Sequence, residues 1–393
     1  MPCTGCGACS AACRVGAIGM IESDGFVVPH IEDDRCVDCG ACTRVCYKYL
    51  DTALLPQVAD AACYATYSRD KHSHATTTSG GFGYELARWG LERGYKVVGT
   101  AYDYASHRAR AIVVDSIEEL ESLKGSKYLQ SLTEDALREF VDRATKSTDE
   151  RFICFGTPCQ IFGLRKLAEH RHLNNEIIYV DLFCHGVPSY LVWDPYIASK
   201  RSKLGDIGEV NFRYKGNGWH HYSIRIAGER GTYSNYAYND TFYRYFFDNV
   251  VLNRSCYTCT LRKGHSAADI RIGDFLGSAY EHREDGITAA VGITARGVAM
   301  VEELEASNHI YIVDKHPVGE CLKSQSTHDY DHIELRNEVI RRLHRGDDIA
   351  TTQRWYTSTF PTKRRIYLGL KSIASLLPNR VIAVLRRRVR SLR

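Results

Sequence analysis

Eight of the first 46 residues are cysteines, set in two copies of one spacing: Cys3, Cys6, Cys9, Cys13 and then Cys36, Cys39, Cys42, Cys46, each C-x2-C-x2-C-x3-C. Three closely spaced thiolates grip three irons of one cubane from a single tight turn, while the fourth points away and serves the neighbouring cluster. The spacing therefore predicts one 4Fe–4S cluster on Cys3, Cys6, Cys9 and Cys46, and a second on Cys36, Cys39, Cys42 and Cys13. Gly5, Gly7 and Gly40 stand where the backbone must bend round inorganic sulfurs and offer them N–H groups. Zinc is the plainer alternative. It closes with four ligands, usually as two separated C-x2-4-C pairs, and neither copy has that form. Disulfides fit less well still.

Two features depart from the two-cluster ferredoxin pattern. Arg14 and Tyr47 stand where proline is usual, and only Met1 and Pro2 precede the first ligand. The strand that normally leads into the first cluster is expected to be missing or mis-started. A length of 393 residues suggests two or three domains, and 44% hydrophobic residues suffice for a core. Fifteen cysteines without a secretory leader ahead of Cys3 point to a reducing, cytoplasmic protein. Lys363 to Arg393 holds ten Lys or Arg and no acid, so the net charge of +4 leaves the rest of the chain at minus six. The positive balance is a tail effect, and nucleic acid is excluded as a partner.

Along the chain, Lys48 to Ala62 reads as a linker, and Cys63 as a small buried hydrophobe. A polar run with paired glycines then passes straight into a helical pattern through Phe82, Leu86, Trp89 and Leu91, which puts Thr78, Ser79, Gly80 and Gly81 at a helix N-terminus. Free N–H groups and the helix dipole favour a phosphate there; an ordinary capped helix is the alternative. His72 and His74 read as solvated loop residues or metal ligands. Strands (Lys96 to Ala101, Ala109 to Val114) and helices (Ile117 to Leu123, Thr133 to Ala144) alternate as in an α/β domain. Cys159 and Cys184 each follow an apolar strand, at the end where ligand sites of open sheets gather. Cys256 and Cys259 form an isolated C-x-x-C, open between zinc, a redox disulfide and a cluster. Together these make four thiols, the number a third cubane needs. Cys154 and Cys321 read as structural.

The ordered motifs T-S-G-G (Thr78 to Gly81), G-S-K-Y (Gly125 to Tyr128), T-P-C-Q (Thr157 to Gln160), C-H-G (Cys184 to Gly186), C-x-x-C (Cys256, Cys259) and A-D-I-R-I-G-D (Ala268 to Asp274) resemble the beta subunits of hydrogenases and dehydrogenases that use coenzyme F420. The resemblance covers roughly Ala61 to Glu320. It implies a cubane on Cys159, Cys184, Cys256 and Cys259 beside an FAD, with Thr78, Ser79, Gly80, Gly81, Gly125, Ser126, Lys127, Tyr128, Asp269, Gly273 and Asp274 as cofactor-binding residues. Lys127 is the candidate catalytic cation, near the flavin N1–C2 carbonyl or the phosphates. The implied fold is α+β: a two-cluster ferredoxin-type domain over 1–55, an α/β flavoprotein core divided into 61–180 and 181–350, and a basic helical tail over 351–393. Fold and cofactors transfer more surely than substrate.

Such a chain is expected to be an iron–sulfur flavoprotein oxidoreductase, moving electrons between a two-electron donor or acceptor and ferredoxin-type clusters. Its partner is an electron-carrier protein or an F420-like coenzyme. Relatives near exopolysaccharide genes suggest a reductase of a surface-polysaccharide pathway. Alternatives are a non-catalytic electron-transfer subunit and a flavin-free Fe–S protein. Arg213, Lys215 and Trp219 to His221 face a substrate or solvent. In the tail, Ile366, Leu370, Ile373 and Leu377, then Val381, Leu385, Val389 and Leu392, recur at helical spacing around Pro378. They predict a basic amphipathic segment lying on the inner face of an anionic membrane, or packed on the domain.

Overall fold

Runs such as I-I-Y-V-D-L and R-F-I-C-F-G are apolar without alternation, the mark of strands covered on both faces. In the computed structural model, which describes residues 2–366 and 369, they form the middle of a nine-stranded mixed sheet. Its strands run, edge to edge, Ile310–Pro317, Ala62–Ser68, Thr288–Gly292, Ile270–Asp274, Ile177–Leu182, Arg151–Gly156, Tyr95–Asp103, Arg108–Val114 and Ser131–Leu132. The four from Ile270–Asp274 to Tyr95–Asp103 are parallel to one another. Antiparallel neighbours flank them on both sides. Strands from before and after residue 180 interleave, so one sheet spans both halves of the core.

The alternation of strand residues assigns the layers. Ile153, Ile178 and Val180 face the helices Phe82–Glu92 and Ala295–Ala306, while Phe152, Cys154 and Tyr179 face Glu134–Lys146 and Pro158–His170. Ala8, Ala11 and Ala12 of the short helix Ala8–Ala12 join the second layer, so the cysteine-rich module rests on those helices. Its hairpin, Ile18–Ser23 with Phe26–Ile31, is clasped by one glutamine: Val27 N donates to Gln130 Oε1 at 2.8 Å, and Gln130 Nε2 returns to Val27 O at 3.0 Å. Glu134 accepts from Ser10 Oγ at 2.6 Å and from Met20 N at 3.1 Å.

A second lobe holds the helices Tyr190–Leu204, Thr241–Phe247, Ile333–His344 and Ile349–Ser358 against a three-stranded sheet, Ile207–Tyr214, Ser223–Gly228 and Gly231–Tyr236. Half of its buried core residues are aromatic, among them Trp193, Phe212, Phe242 and Phe246.

The helix and strand bounds follow the sequence pattern to within a few residues, with two differences. Ala62–Ser68, where the sequence pattern places only Ala62 in a linker and assigns the rest no element, is a strand inside the sheet, because its polar Thr66 and Ser68 find internal partners. His72 and His74, expected in a loop, lie on the helix Lys71–Thr76; His74 is buried with Nε2 on Gly286 O at 2.8 Å. Among the described residues no helix is long and apolar enough to cross a membrane. The apolar repeat of the tail beyond Ile366 lies outside the described residues.

Candidate functional site

The first cysteine run wraps the start of Ala8–Ala12, and Cys46 follows Ala41–Arg44. Cys3, Cys6, Cys9 and Cys46 stand close enough for their charges to act on one another. Gly5 N donates to Cys3 Sγ at 3.3 Å and Ala17 N to Cys13 Sγ at 3.2 Å. Gly5 has φ 70°, and a Cβ there would lie 2.0 Å from Gln130 Nε2, so only glycine fits. Burial first, then the neighbouring Cys3, pushes the Cys6 thiol up to about 11. The Cys3, Cys6 and Cys9 thiols, all raised by burial, hold their protons until a metal displaces them. Cys36 and Cys39 are exposed; Cys13 and Cys42 are half-buried.

The other four thiols come from separate elements. Arg151–Gly156 runs through Thr157, whose capping box with Gln160 opens the helix Pro158–His170, and Cys159 sits in its first turn. Cys184 lies two residues past the neighbouring parallel strand. Cys256 and Cys259 are on the loop beyond Thr241–Phe247. The charges of Cys184 and Cys259 act on Cys159, and those of Cys256 and Cys259 on Cys184. Burial pushes Cys184 up to about 12 and Cys256 up to about 11.

That loop is fixed to the sheet by Arg271, which is fully buried. It grips Asp181 with two bonds of 2.7 and 2.6 Å and donates to Leu261 O at 3.2 Å and His265 O at 3.1 Å. The two cysteine sets adjoin: Cys6 acts on Cys159, and a Cβ on Gly163, one turn past Cys159, would lie 3.1 Å from Cys6 Sγ. Tyr47, where a ferredoxin would have proline, fills the seam. Its hydroxyl meets Thr260 Oγ1 at 2.8 Å, and its ring stands edge-on to Phe162 at 5.7 Å. Among the described residues no three His, Cys, Asp or Glu side chains are placed to hold one metal ion. A cubane differs in kind, since it spreads four thiolates over four irons.

A cavity of about 750 Å³ opens beside Cys184. T-S-G-G contributes Thr78, Ser79 and Gly81 to its wall; G-S-K-Y contributes all four residues; Gly273 and Asp274 add the end of a strand. The first two motifs touch, Ser126 N donating to Thr78 Oγ1 at 2.9 Å. Gly81 caps the helix Phe82–Glu92 at φ 91°. Gly80 and Asp269 are not on the wall. Gly80 packs where a Cβ would meet Thr66 O at 2.3 Å, and Asp269 is a buried brace that accepts from Arg296 at 2.6 Å and Tyr179 N at 2.9 Å.

Lys127 is on the wall, and burial draws its pKa down to about 7. Its Nζ nevertheless donates to three carbonyls, Ser122 O at 3.3 Å and Leu123 O and Lys124 O at 2.9 Å. Three carbonyls closing a helical turn are a cation's partners, so geometry opposes desolvation here. All three ammonium protons are engaged within the chain. Lys127→Met is therefore expected to loosen the G-S-K-Y turn and lower the melting temperature, while leaving iron content unchanged; an unaltered melt would show the clasp to be idle.

Arg213 also faces the cavity, ion-paired with Asp274 at 2.6 Å and lying over the Tyr222 ring at 4.0 Å. Lys215 instead ties loops together, donating to the carbonyls of His74, Ser79 and Asp285. Trp219 is buried and lines the cavity, as does His220. Tyr47 and Arg271 escaped the sequence reading as site residues. The signal for Tyr47 was its departure from proline; Arg271 carried none beyond its place in A-D-I-R-I-G-D.

Residues 149–317 match the family model for the C terminus of the coenzyme F420 hydrogenase/dehydrogenase beta subunit, and residues 2–48 match the model of the 4Fe-4S dicluster domain. No curated protein matches the chain. Among solved structures, a chain of the F420-reducing NiFe hydrogenase complex from Methanosarcina barkeri is similar at 16% identity and TM-score 0.46, over 77% of this chain and 93% of that one. One chain thus joins a segment, residues 149–317, that matches the C terminus of the coenzyme F420 hydrogenase/dehydrogenase beta subunit to an N-terminal segment, residues 2–48, that matches a 4Fe–4S dicluster domain.

Proposed function

We propose that the chain is a flavin-linked iron–sulfur oxidoreductase, with FAD in the cavity, a third cubane on Cys159, Cys184, Cys256 and Cys259, and two cubanes in the N-terminal module. The observation that carries this reading is continuity: Cys184 is part of the cavity wall, its charge reaches Cys159, and that of Cys6 does too. When bound, a flavin exchanges two electrons with an organic partner and single electrons with cubanes.

The residues fit such groups. The cavity has the size of a cofactor site, and Gly81 leaves main-chain N–H groups at a helix start where a diphosphate is favoured. Thr78 and Ser126 add hydroxyls at the point where the two motifs meet. Buried thiols, soft donors once deprotonated, suit iron. The paired Arg213 and Asp274 make a polar wall without net charge, suited to a neutral ring edge. The two-electron partner is an F420-like deazaflavin or an organic substrate, and the one-electron partner a carrier protein.

The test is anaerobic purification with iron, sulfide and flavin quantified, then reduction trials with F420, NAD(P)H and ferredoxin. Ser126→Tyr places a ring at the meeting of the two motifs while sparing the main-chain bond to Thr78. It is expected to lose most of its flavin and keep its iron. Stoichiometric flavin in that variant would put the cofactor elsewhere, and wild-type protein without flavin would end the FAD reading.

A further inference from the structure

A buried charge needs an opposite charge nearby, and Arg262 has no carboxylate partner among the described residues. Its side chain is buried, the residue being 5% exposed. Its guanidinium donates only to main-chain carbonyls: Cys256 O, His328 O at 2.8 Å, Tyr257 O at 3.4 Å and His185 O at 3.5 Å. Its Nε has no partner, and its Cζ lies over the Tyr330 ring, 3.8 Å from the ring centre. Arg271 is neutralised by Asp181 and Arg213 by Asp274, each at 2.6 Å, while Arg336, also buried and without a described carboxylate partner, donates to Leu252 O and Asn337 and not to the backbone of a cysteine or its neighbour in the set. Carbonyl dipoles steady a cation without cancelling its charge. What the charge of Arg262 does reach are the thiols of Cys184 and Cys256.

We infer that Arg262 is the counter-charge of the cubane on Cys159, Cys184, Cys256 and Cys259, and that it raises that cubane's reduction potential; the inference rests on the third-cubane reading above. Four thiolates on one cubane leave the site net negative, and one-electron reduction adds one further negative charge. A fixed cation in a poorly screened interior favours the more negative, reduced state. The carbonyl bonds explain the placement. Cys256 O belongs to one ligand and His185 O to the residue after another, so the guanidinium is clamped to the backbone that carries the thiolates. Arg262 also lines the cavity, and its role toward the cubane is that of a tuning residue acting through its charge.

The test compares wild type, Arg262→Lys, Arg262→Met and Arg262→Gln as anaerobically purified holoproteins, by iron content and by redox titration followed by electron paramagnetic resonance. Arg262→Met is expected to move one cluster to a more negative potential, or to lose that cluster, with the two N-terminal clusters unchanged. Arg262→Lys is expected to stay near wild type. If the Met variant does not fold, the equally neutral Gln variant is read in its place. Neutral variants with wild-type potential and iron overturn the inference, as does a Lys variant displaced as far as Met, because geometry rather than charge would then matter. Wild-type protein with only about eight irons overturns the third cubane itself, a failure distinct from the first.

Discussion

Anaerobically purified protein is expected to carry about twelve irons per chain, four for each of three cubanes, and chelating them is expected to unfold the first 48 residues while the rest of the chain stays folded. The contrast follows from what each part has to hold it. The N-terminal module buries few large residues: beside Ala8, Ala11, Ala12, Ala17 and Ala41 there are Ile18, Phe26, Val27, Val45 and Tyr47. Residues 31–39, which contain Cys36 and Cys39, are all exposed. Clusters would supply the missing cross-links. The nine-stranded core rests instead on two apolar layers. Limited proteolysis before and after chelation is the measurement: rapid cleavage within 2–48 and a resistant core are expected. A module that stays resistant after its iron is gone would show that the clasp by Gln130 and Glu134 suffices alone.

The second large effect is expected at Asp181. Asp181→Ala leaves Arg271 buried and unpaired, and losing one partner of such a pair costs about 3–5 kcal/mol. Because Arg271 also holds the carbonyls of Leu261 and His265, the loop carrying Cys256 and Cys259 should loosen with it. Iron is expected to fall by about four per chain, the content of one cubane. Replacing both partners, Asp181→Leu with Arg271→Met, should cost less stability than the single change, since no orphan charge remains. Thermal melting with iron quantified on the same samples decides it; a single variant that melts and loads like wild type would remove Arg271 from the support of the site.

The sequence made the local features legible. The two cysteine runs, the helix after Gly81 and the strands ending before Cys159 and Cys184 each announce themselves within a few residues, because their spacing or periodicity is local. The site's supports are not local. Asp181 meets Arg271 across 90 positions, Tyr47 meets Thr260 across 213, and nothing in either neighbourhood signals the other. Strand Ala62–Ser68 was hidden by its polar Thr66 and Ser68. Gly80 reads naturally as part of a phosphate cradle, yet its missing side chain makes room for the backbone of Thr66 and Thr288. Lys127 reads as a free cation, and only the fold reveals the three carbonyls that occupy it.

The interleaved sheet has a consequence for how the protein is made. Strand Ala62–Ser68 is flanked by Thr288–Gly292 and Ile310–Pro317, both among the last strands to leave the ribosome. Until then the early strand has no neighbours and its edges stay unpaired. The cavity wall behind Ser79 is equally late, for Ser79 Oγ donates to Ile287 O. The N-terminal cysteines can collect iron as soon as they emerge, whereas the thiol set completed by Cys259 must wait for most of the chain. A chain stalled before Thr288 would therefore have its N-terminal cysteine runs complete, with the early strand unpaired and the cavity wall still unbuilt.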